Sequence, residues 1–465
     1  MMNKDGNSGY LAMVCVVASM GGLLFGFDTA VISGTVGMVE AQFELSKLAL
    51  GWFTSSALVG CILGALMAGV LGDKYGRKPV LIMAAVLFFI SALGCTVPPS
   101  FKVLYSVRII GGIGVGIASV LSPLYISEFS PPKIRGRLVA LYQLSIVTGI
   151  LLAYGSNWIL QNYSIHHTVM PEGSGFLYKI FVGEVWRSMF GMEMVPALLL
   201  LVLLLFVPES PRWLIQAGKR NSGKSILEKI SGIKVAEKEY SEILSSLGQE
   251  KGKLRELFRP GLRTALVVAI GLSVFGQLTG INAVIYYGPE ILKQAGIQFG
   301  NALQFQTILG VINLVFTLLA LLLIDKLGRR PLLIGGMAAV VLTLLLAGLL
   351  FLTDTPNGTL IVVVLGAYIA CIAFSICAVI WVLTPEIFPN RVRGRAMSIA
   401  AFSNWGTNTI AAYLFPWYVA SFGMHVGFFT FGAICLLATL FFWKFVPETK
   451  GKSLEQIERL FRPTS

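Results

Sequence analysis

GDKYGRKP at residues 72–79 is repeated as DKLGRRP at residues 325–331, and this repeat decides the fold of the chain. A second pair follows in the same order: EFSPPKIRGR at residues 128–137 aligns without a gap with EIFPNRVRGR at residues 386–395. A third pair follows the last apolar run of each copy: PES at residues 208–210 is matched by PET at residues 447–449. Because all three pairs keep their order, chance is a poor explanation. The sequence therefore predicts two related halves.

The composition indicates that the medium around these halves is lipid. Of the 465 residues, 55% are hydrophobic and 13% are charged, whereas a soluble domain carries about 25% charged residues. A water-soluble protein of this size could not bury so much apolar surface. The 50 glycines agree, because glycine is more frequent in membrane helices than in soluble ones.

Apolar runs long enough to cross a bilayer, which takes roughly 20 residues, recur along the whole chain. They lie at 10–38, 50–72, 79–97, 101–127, 138–160, 188–207, 263–290, 302–324, 331–353, 359–384, 396–420 and 424–446. We therefore predict an all-α membrane protein with twelve transmembrane helices in two six-helix bundles. The predicted domains are an N-terminal bundle (1–207), a linker of short helices (208–262), a C-terminal bundle (263–448) and a tail (449–465).

The net charge of +13 is explained by the tendency of Lys and Arg to collect in cytoplasmic loops. The linker is strongly basic, which predicts that it and both termini are cytoplasmic. Short loops and tails favour a bacterial inner membrane. We expect no nucleic-acid partner, because no basic face or stacking platform accompanies the charge. The six cysteines lie in apolar runs without metal-ligand spacing, so we expect no metal site.

Three motifs carry a resemblance to a known family: PESPRWL at 208–214, PETKG at 447–451 and QLTGIN at 277–282. Together they resemble the sugar porter family of the major facilitator superfamily, including bacterial D-xylose–proton symporters and animal facilitative glucose transporters. The resemblance covers essentially the whole chain. It implies a secondary transporter of a monosaccharide that works by alternating access. An enzyme is not expected, and neither is a cofactor other than the proton as coupling ion. We expect the protein to work in membrane lipid as a monomer.

Uncharged amides inside apolar helices are the predicted sugar-binding groups, because Asn and Gln both donate and accept hydrogen bonds. A single such amide is also explained by a hydrogen bond between helices. The resemblance assigns sugar contacts to Gln143, Gln277, Asn282, Asn313, Asn404 and Trp381. We add Trp405, Asn408, Tyr286 and Ile150 as further candidates.

Two departures from the family pattern matter. The family has two adjacent glutamines where this chain has Gly276 before Gln277, so one sugar contact is missing. A Gly-Pro break is replaced by Cys377-Ala378, which predicts a straighter tenth helix. At Ile150 the chain resembles the glucose transporters, whereas the xylose symporters have an amide there. An apolar side chain at this position favours a hexose, which offers a larger C–H face.

Asp28 in the first helix and Arg108 in the fourth are isolated charges within apolar runs. An ionisable residue there predicts a functional site, and in the family these two positions face each other. We therefore predict that Asp28, with Arg108 and Glu193 in the sixth helix, couples transport to protons. The alternatives are a static salt bridge and, for Glu193, a buried structural acid.

The repeated acid–arginine motifs predict a cytoplasmic gate of charge pairs, although anchoring to lipid headgroups also explains the cations. The candidates are Asp73, Arg77, Glu128, Arg135, Glu209, Arg212, Asp325, Arg329, Glu386, Arg393 and Glu448. Two other functions stay open: a facilitative uniporter of the same fold, and a sugar sensor built on a transporter scaffold.

Overall fold

The structure is a computed structural model that describes residues 7–98, 100–131, 134–167, 175–247, 254–353, 356–452 and 456. Part of the predicted linker, 248–253, and most of the predicted tail lie outside the described residues.

Helices account for nearly all of the described chain, which confirms the predicted all-α class. The first group comprises α1 Ser8–Val31, α2 Val36–Phe43, α3 Lys47–Tyr75, α4 Arg77–Thr96, α5 Phe101–Phe129, α6 Arg135–His166, α7 Phe176–Tyr178, α8 Trp186–Gly191 and α9 Met194–Phe206. The linker contains α10 Pro211–Gln216, α11 Arg220–Ser231 and α12 Ile233–Leu247. The last group comprises α13 Leu262–Gln277, α14 Ile281–Gln294, α15 Phe299–Leu327, α16 Arg329–Leu350, α17 Gly358–Phe374, α18 Ile376–Glu386, α19 Asn390–Phe422 and α20 Met424–Phe445. A 3₁₀ turn, Ile32–Gly34, extends α1, and another, Leu254–Phe258, precedes α13.

Eleven stretches of the described chain are helical, long and apolar enough to cross a membrane. They match eleven of the twelve predicted spans, with α8–α9, α13–α14 and α17–α18 each forming one span. The remaining predicted span, 396–420, lies within α19, which is 33 residues long. Asn404 and Asn408, two of the predicted sugar contacts, lower the hydropathy of α19.

Of the three interrupted spans of the described chain, α13–α14 and α17–α18 break at a residue outside the right-handed helical region. Between α13 and α14 the chain passes Gly280, whose φ of 89° lies in the left-handed region that favours glycine. Between α17 and α18 it passes Ser375, with φ −109° and ψ −100°, and the Ser375 hydroxyl donates to the carbonyl of Cys371 at 2.6 Å. The expected straight tenth helix is therefore wrong. The break lies two residues before Cys377-Ala378, at a serine that bonds the preceding turn and not at a glycine-proline pair.

By contacts, the chain divides into two compact units. Unit 1 comprises Met1–Asp28, Val59–Ile150 and Phe190–Glu250, and unit 2 comprises Thr29–Leu58, Leu151–Met189 and Lys251–Ser465. The division passes through α1, α3, α6 and α8. Unit 2 therefore combines all six spans of the second repeat with one end of each of these four helices. We call the membrane side of these four ends the far side. The linker α10–α12, which belongs to unit 1, follows the opposite end of the α8–α9 span.

In unit 1, close approach of α1 and α6 is possible because glycines line the contact. A Cβ atom on Gly26 would lie 1.9 Å from the carbonyl oxygen of Ile146, and one on Gly149 would lie 2.0 Å from that of Leu23. Small residues of this kind let helix backbones touch in a membrane, where dispersion contacts replace the hydrophobic effect between helices. The packing places Asp28 of α1 next to the interior of unit 1.

Candidate functional site

Three of the predicted sugar-binding amides form a chain of hydrogen bonds in unit 2. Gln277, the last residue of α13, donates from Nε2 to Oδ1 of Asn404 on α19 at 2.7 Å. Asn282, in the first turn of α14, donates from Nδ2 to Oε1 of Gln277. The break at Gly280 is what places Asn282 beside Gln277. The amides at 277 and 282 are only partly buried, so this chain presents polar groups at an accessible surface.

A second polar pair lies deeper in unit 2. Asn408, one turn after Asn404 on α19, donates from Nδ2 to the hydroxyl of Tyr286 on α14 at 3.0 Å. The Oδ1 atom of Asn408 is buried and has no hydrogen-bond partner among the described residues. Both side chains are buried. An unmade hydrogen bond in the interior is costly. The Oδ1 atom of Asn408 is therefore available to accept a hydrogen bond from a further donor.

The other sugar-site candidates are not part of these two groups. Asn313 on α15 and Gln143 on α6 are partly exposed, and Trp381 on α18 is 46% exposed. Trp405 and Ile150 are buried. Gly276 faces α18: a Cβ there would meet Cδ1 of Ile380 at 3.5 Å, so the position points to apolar side chains.

In unit 1 the predicted coupling residues come together. Arg108 Nη1 lies 3.9 Å from Asp28 Oδ1, with side chains 3% and 5% exposed. The Arg108 guanidinium also lies over the ring of Phe190, 5.1 Å from its centroid. Glu193 is buried, is within electrostatic range of both Asp28 and Arg108, and its Oε1 accepts no hydrogen bond from the described residues. Asp28 therefore pairs with Arg108, and a second buried acid, Glu193, lies within electrostatic range of the same cation inside an apolar bundle.

The gate motif of the first repeat forms a buried ion-pair cluster in unit 1. Arg77, at the start of α4, pairs with Glu128 of α5 through Nη2–Oε1 at 3.0 Å and Nε–Oε2 at 3.1 Å. Arg77 Nη1 also lies 3.2 Å from Asp73. The backbone N–H groups of Arg77 and Lys78 donate to Glu209 at 3.1 and 3.2 Å.

Unit 2 contains the same cluster built from the second repeat. Arg329, at the start of α16, lies 3.1 Å from Glu386 and 3.0 Å from Asp325. The backbone N–H groups of Arg329 and Arg330 each donate to Glu448 at 3.1 Å. Thr449 donates to Glu386 at 2.7 Å. In both clusters a glutamate from PES or PET binds the positive N-terminal end of a helix, where backbone donors are free.

A glycine is required beside each of these glutamates. Gly76 has φ 104° and Gly328 has φ 94°, a region that disfavours other residues. A Cβ would lie 2.2 Å from Glu209 Oε2 in the first case and 2.6 Å from Glu448 Oε2 in the second. The glycine in both copies of the first motif thus leaves room for the distant carboxylate.

Among the residues that the structure describes, three predicted gate arginines do not form the expected charge pairs. Arg135 donates to the carbonyl of Ser130 at 3.3 Å, and Arg393 donates to that of Phe388 at 3.1 Å. Each therefore caps its own turn. Arg212 is exposed and makes no ion pair within the part of the chain that the structure describes; its neighbour Trp213 donates to the carbonyl of Asp73 at 2.9 Å instead.

Sequence reasoning missed three polar residues that are buried in unit 2. Tyr154 and Asn157 lie one turn apart on α6, and Gln306 lies on α15; all three are at most 3% exposed. Each donates to a backbone carbonyl of another helix. The available signal for Gln306 is an isolated amide in an apolar span, the same signal that Asn313 gives.

Comparison with known proteins identifies relatives over the whole length. A family profile described as "Sugar (and other) transporter" matches residues 14–461. The D-xylose-proton symporter of Escherichia coli (strain K12) is 42% identical, with 99% of this chain and 98% of that protein covered. The arabinose-proton symporter of Bacillus subtilis (strain 168) is 40% identical, over 99% and 97%.

Solved structures show the same fold. A partially occluded inward-open conformation of the xylose transporter XylE from E. coli superposes with a TM-score of 0.83 at 39% identity, covering 96% of this chain and all of that one. Family profile, sequence relatives and fold agree. The chain belongs to the sugar transporter family of the major facilitator superfamily.

Proposed function

We propose that this protein is a proton-coupled monosaccharide symporter that works by alternating access. The hydrogen-bonded chain Asn282–Gln277–Asn404, which joins α14, α13 and α19 across the break at Gly280, is the observation that carries the proposal. The relatives named as D-xylose- and arabinose-proton symporters support the substrate class and the coupling ion. The sugar contacts stay a prediction, and the further members of the proposed site are Gln143, Asn313, Trp381, Trp405, Tyr286 and Ile150.

The sugar binds by replacing hydrogen bonds that the amides make with each other. A hydroxyl group both donates and accepts, as an amide does. A ring with several hydroxyls can therefore insert into the chain at Gln277 without leaving a buried group unpaired. Asn408 Oδ1, which is buried without a partner among the described residues, offers an additional acceptor. Discontinuous helices such as α13–α14 are a common way for transporters to form substrate sites.

Charge balance links the proton to this cycle. Asp28, Glu193 and Arg108 together carry one excess negative charge when both acids are ionised, and none when one acid is protonated. A net charge is expensive in an apolar interior, so the cluster favours binding one proton when it is closed off from water. Exposure of the cluster to water removes this preference and releases the proton. Asp28, 3.9 Å from Arg108, is the proposed carrier.

The membrane arrangement is part of the same proposal. We place the protein in a bacterial inner membrane, with the linker and both termini on the cytoplasmic side. Residues 1–207 and 263–448 are then the two moving halves of a monomer. The far side is then the periplasmic side. The clusters around Arg77 and Arg329 then lie at the cytoplasmic ends of the helices and stabilise the closed gate.

Replacing Asp28 with asparagine tests the coupling. In proteoliposomes, Asp28→Asn is expected to abolish sugar uptake against a gradient and sugar-driven proton influx, while exchange of labelled for unlabelled sugar continues. Glu237→Gln, an exposed acid of the linker, is the matched control and is expected to behave as wild type. Concentrative uptake by Asp28→Asn would contradict proton coupling through Asp28. No pH change on sugar addition to the wild-type protein would favour the uniporter.

Truncating the amide chain tests the substrate site independently. Gln277→Ala is expected to raise the KM for sugar exchange by about 10- to 100-fold, because it removes the group that bonds both neighbouring amides and at least one sugar hydroxyl. A panel of labelled pentoses and hexoses then identifies the substrate. An unchanged KM for every transported sugar would contradict a site at this chain.

A further inference from the structure

The half-helix α14 is separated from α13 by the break at Gly280, so its position depends on what it contacts rather than on the preceding helix. It contains Pro289, which has no N–H group. The carbonyl of Ile285, four residues earlier, therefore has no donor at the usual position of a helix hydrogen bond. In an apolar interior such a carbonyl needs another partner.

Tyr154 of α6 supplies that partner. Its hydroxyl donates to the carbonyl of Ile285 at 3.3 Å, and both residues are buried. Next to it, Gln306 of α15 donates from Nε2 to the carbonyl of Val284 at 3.0 Å. Two helices of unit 2 thus hold two consecutive carbonyls of α14.

At two other irregular backbone positions in unit 2, a side chain of another helix likewise donates to a carbonyl that lacks its helical donor. At the end of α1, Thr35 N–H bonds the carbonyl of Ile32 at 2.9 Å instead of that of Val31. Asn157, one turn after Tyr154, donates to the carbonyl of Val31 at 2.9 Å. On α19, Pro416 leaves the carbonyl of Ala412 without its helical donor, and Tyr287 of α14 donates to it at 2.9 Å.

We propose that Tyr154 is a positioning residue that latches α14 on the far side. It does so through its hydrogen bond to the Ile285 carbonyl, which Pro289 leaves without a helical donor. One segment of α6 thereby ties the end of α1 to the half-helix that carries Asn282. Movement of α14 away from α6 breaks this bond and exposes the carbonyl, which water then hydrates. The latch therefore stabilises the state that is closed on the far side. The transport part of this inference rests on the proposed function.

Hydrogen exchange of the α14 amides in proteoliposomes tests the latch without any transport. Tyr154→Phe keeps the ring and removes the donor, and is expected to raise the exchange rate of α14 amides about 3- to 20-fold, the range for one interhelical hydrogen bond. Tyr142→Phe is the matched control. Tyr142 also lies buried on α6, but its hydroxyl has no hydrogen-bond partner within the described ranges, so α14 exchange is expected to stay at the wild-type rate.

Pro289→Ala distinguishes the latch from general damage. It restores an N–H group opposite the Ile285 carbonyl, so the effect of Tyr154→Phe is expected to fall to less than half in this background. Gln306→Leu, the neighbouring donor, is expected to act in the same direction as Tyr154→Phe and serves if that variant is not recovered folded. A full Tyr154→Phe effect in Pro289→Ala, or none in wild type, would overturn the proposal.

Transport kinetics give the functional readout. A shift toward the state that is open on the far side lowers the KM for sugar presented there and raises the KM for sugar presented on the linker side. General destabilisation would instead lower the maximal rate from both sides. KM values that move together in Tyr154→Phe would refute the role in gating. If no sugar is transported by the wild-type protein, the proposed function fails while the exchange experiment still decides on the latch.

Discussion

The cluster around Arg77 and the cluster around Arg329 use the same residue types in the same order but differ in their surroundings. The side chains of Arg77 and Glu128 are 5% and 4% exposed, whereas those of Arg329 and Glu386 are 12% and 27% exposed. Arg77 meets Glu128 through two nitrogens, and Arg329 meets Glu386 through one. A repeated motif therefore specifies the connections, while burial specifies how strong they are.

The glutamates of PES and PET show the same difference in their pKa. Burial raises the pKa of Glu209 above its usual range, even though backbone N–H groups of Ser210, Arg77 and Lys78 donate to it. For Glu448 burial acts in the same direction, but the backbone donors of Lys450, Arg329 and Arg330 outweigh it and lower the pKa. The first repeat has its charges deeper in the protein than the second.

The largest expected loss of stability comes from breaking the buried Arg77–Glu128 ion pair. Arg77→Ala leaves Glu128 buried without its cation, which costs about 3–5 kcal/mol of stability. Arg329→Ala is expected to cost about 1 kcal/mol, because its acid is partly solvated. Thermal unfolding of both variants in the same detergent measures the difference, and equal losses would show that burial does not separate the clusters. Arg212→Ala, an exposed arginine, is the control and is expected to stay within about 0.5 kcal/mol of wild type.

A smaller difference is expected at the glycines. Gly76→Ala and Gly328→Ala both force a side chain into a left-handed backbone, at a cost of about 1–3 kcal/mol. Gly76→Ala is expected to be the worse, because its Cβ comes closer to the glutamate and that glutamate is more buried. Gly136→Ala has no heavy atom within 4 Å of the new Cβ and serves as the control in the same melting assay. The reverse order would contradict the comparison.

The smallest effect is a difference in the pH dependence of stability. The raised pKa of Glu209 means that wild type gains stability relative to Glu209→Gln as pH falls through that pKa toward the ordinary value of 4.5. The lowered pKa of Glu448 means that its stabilisation is present above 4.5 and is lost as pH falls through the lowered pKa. Melting curves of wild type and both variants across this range measure opposite signs. The same sign for both would refute the assignment.

Much of the fold was predictable from local features of the chain. The apolar runs predicted eleven of the spans now seen, because crossing a bilayer imposes a minimum length on each helix. The span in α19 shows the limit of hydropathy. Asn404 and Asn408 lower its mean hydropathy because they are polar, yet both have polar partners in the interior. The break at Ser375 was missed, since serine bends a helix through its own hydroxyl without a glycine or proline to mark the position.

The candidate site was predictable in its members and less so in its connections. Gln277, Asn282 and Asn404 were expected, but nothing in the sequence shows that they bond to one another. Arg135 and Arg393 were expected in ion pairs and instead cap backbone carbonyls five residues earlier. Tyr154 was missed altogether, because its role depends on a proline more than a hundred residues later.

By itself, the sequence determined the number of apolar runs, the twofold repeat and the set of charged and amide residues within them, because each of these depends on residues that are neighbours in the chain. The tertiary structure decided which acid meets which arginine, how deeply each pair is buried and which carbonyls require a donor from another helix. Those outcomes depend on helix packing, where small residues allow close approach and the apolar interior makes every unpaired polar group costly.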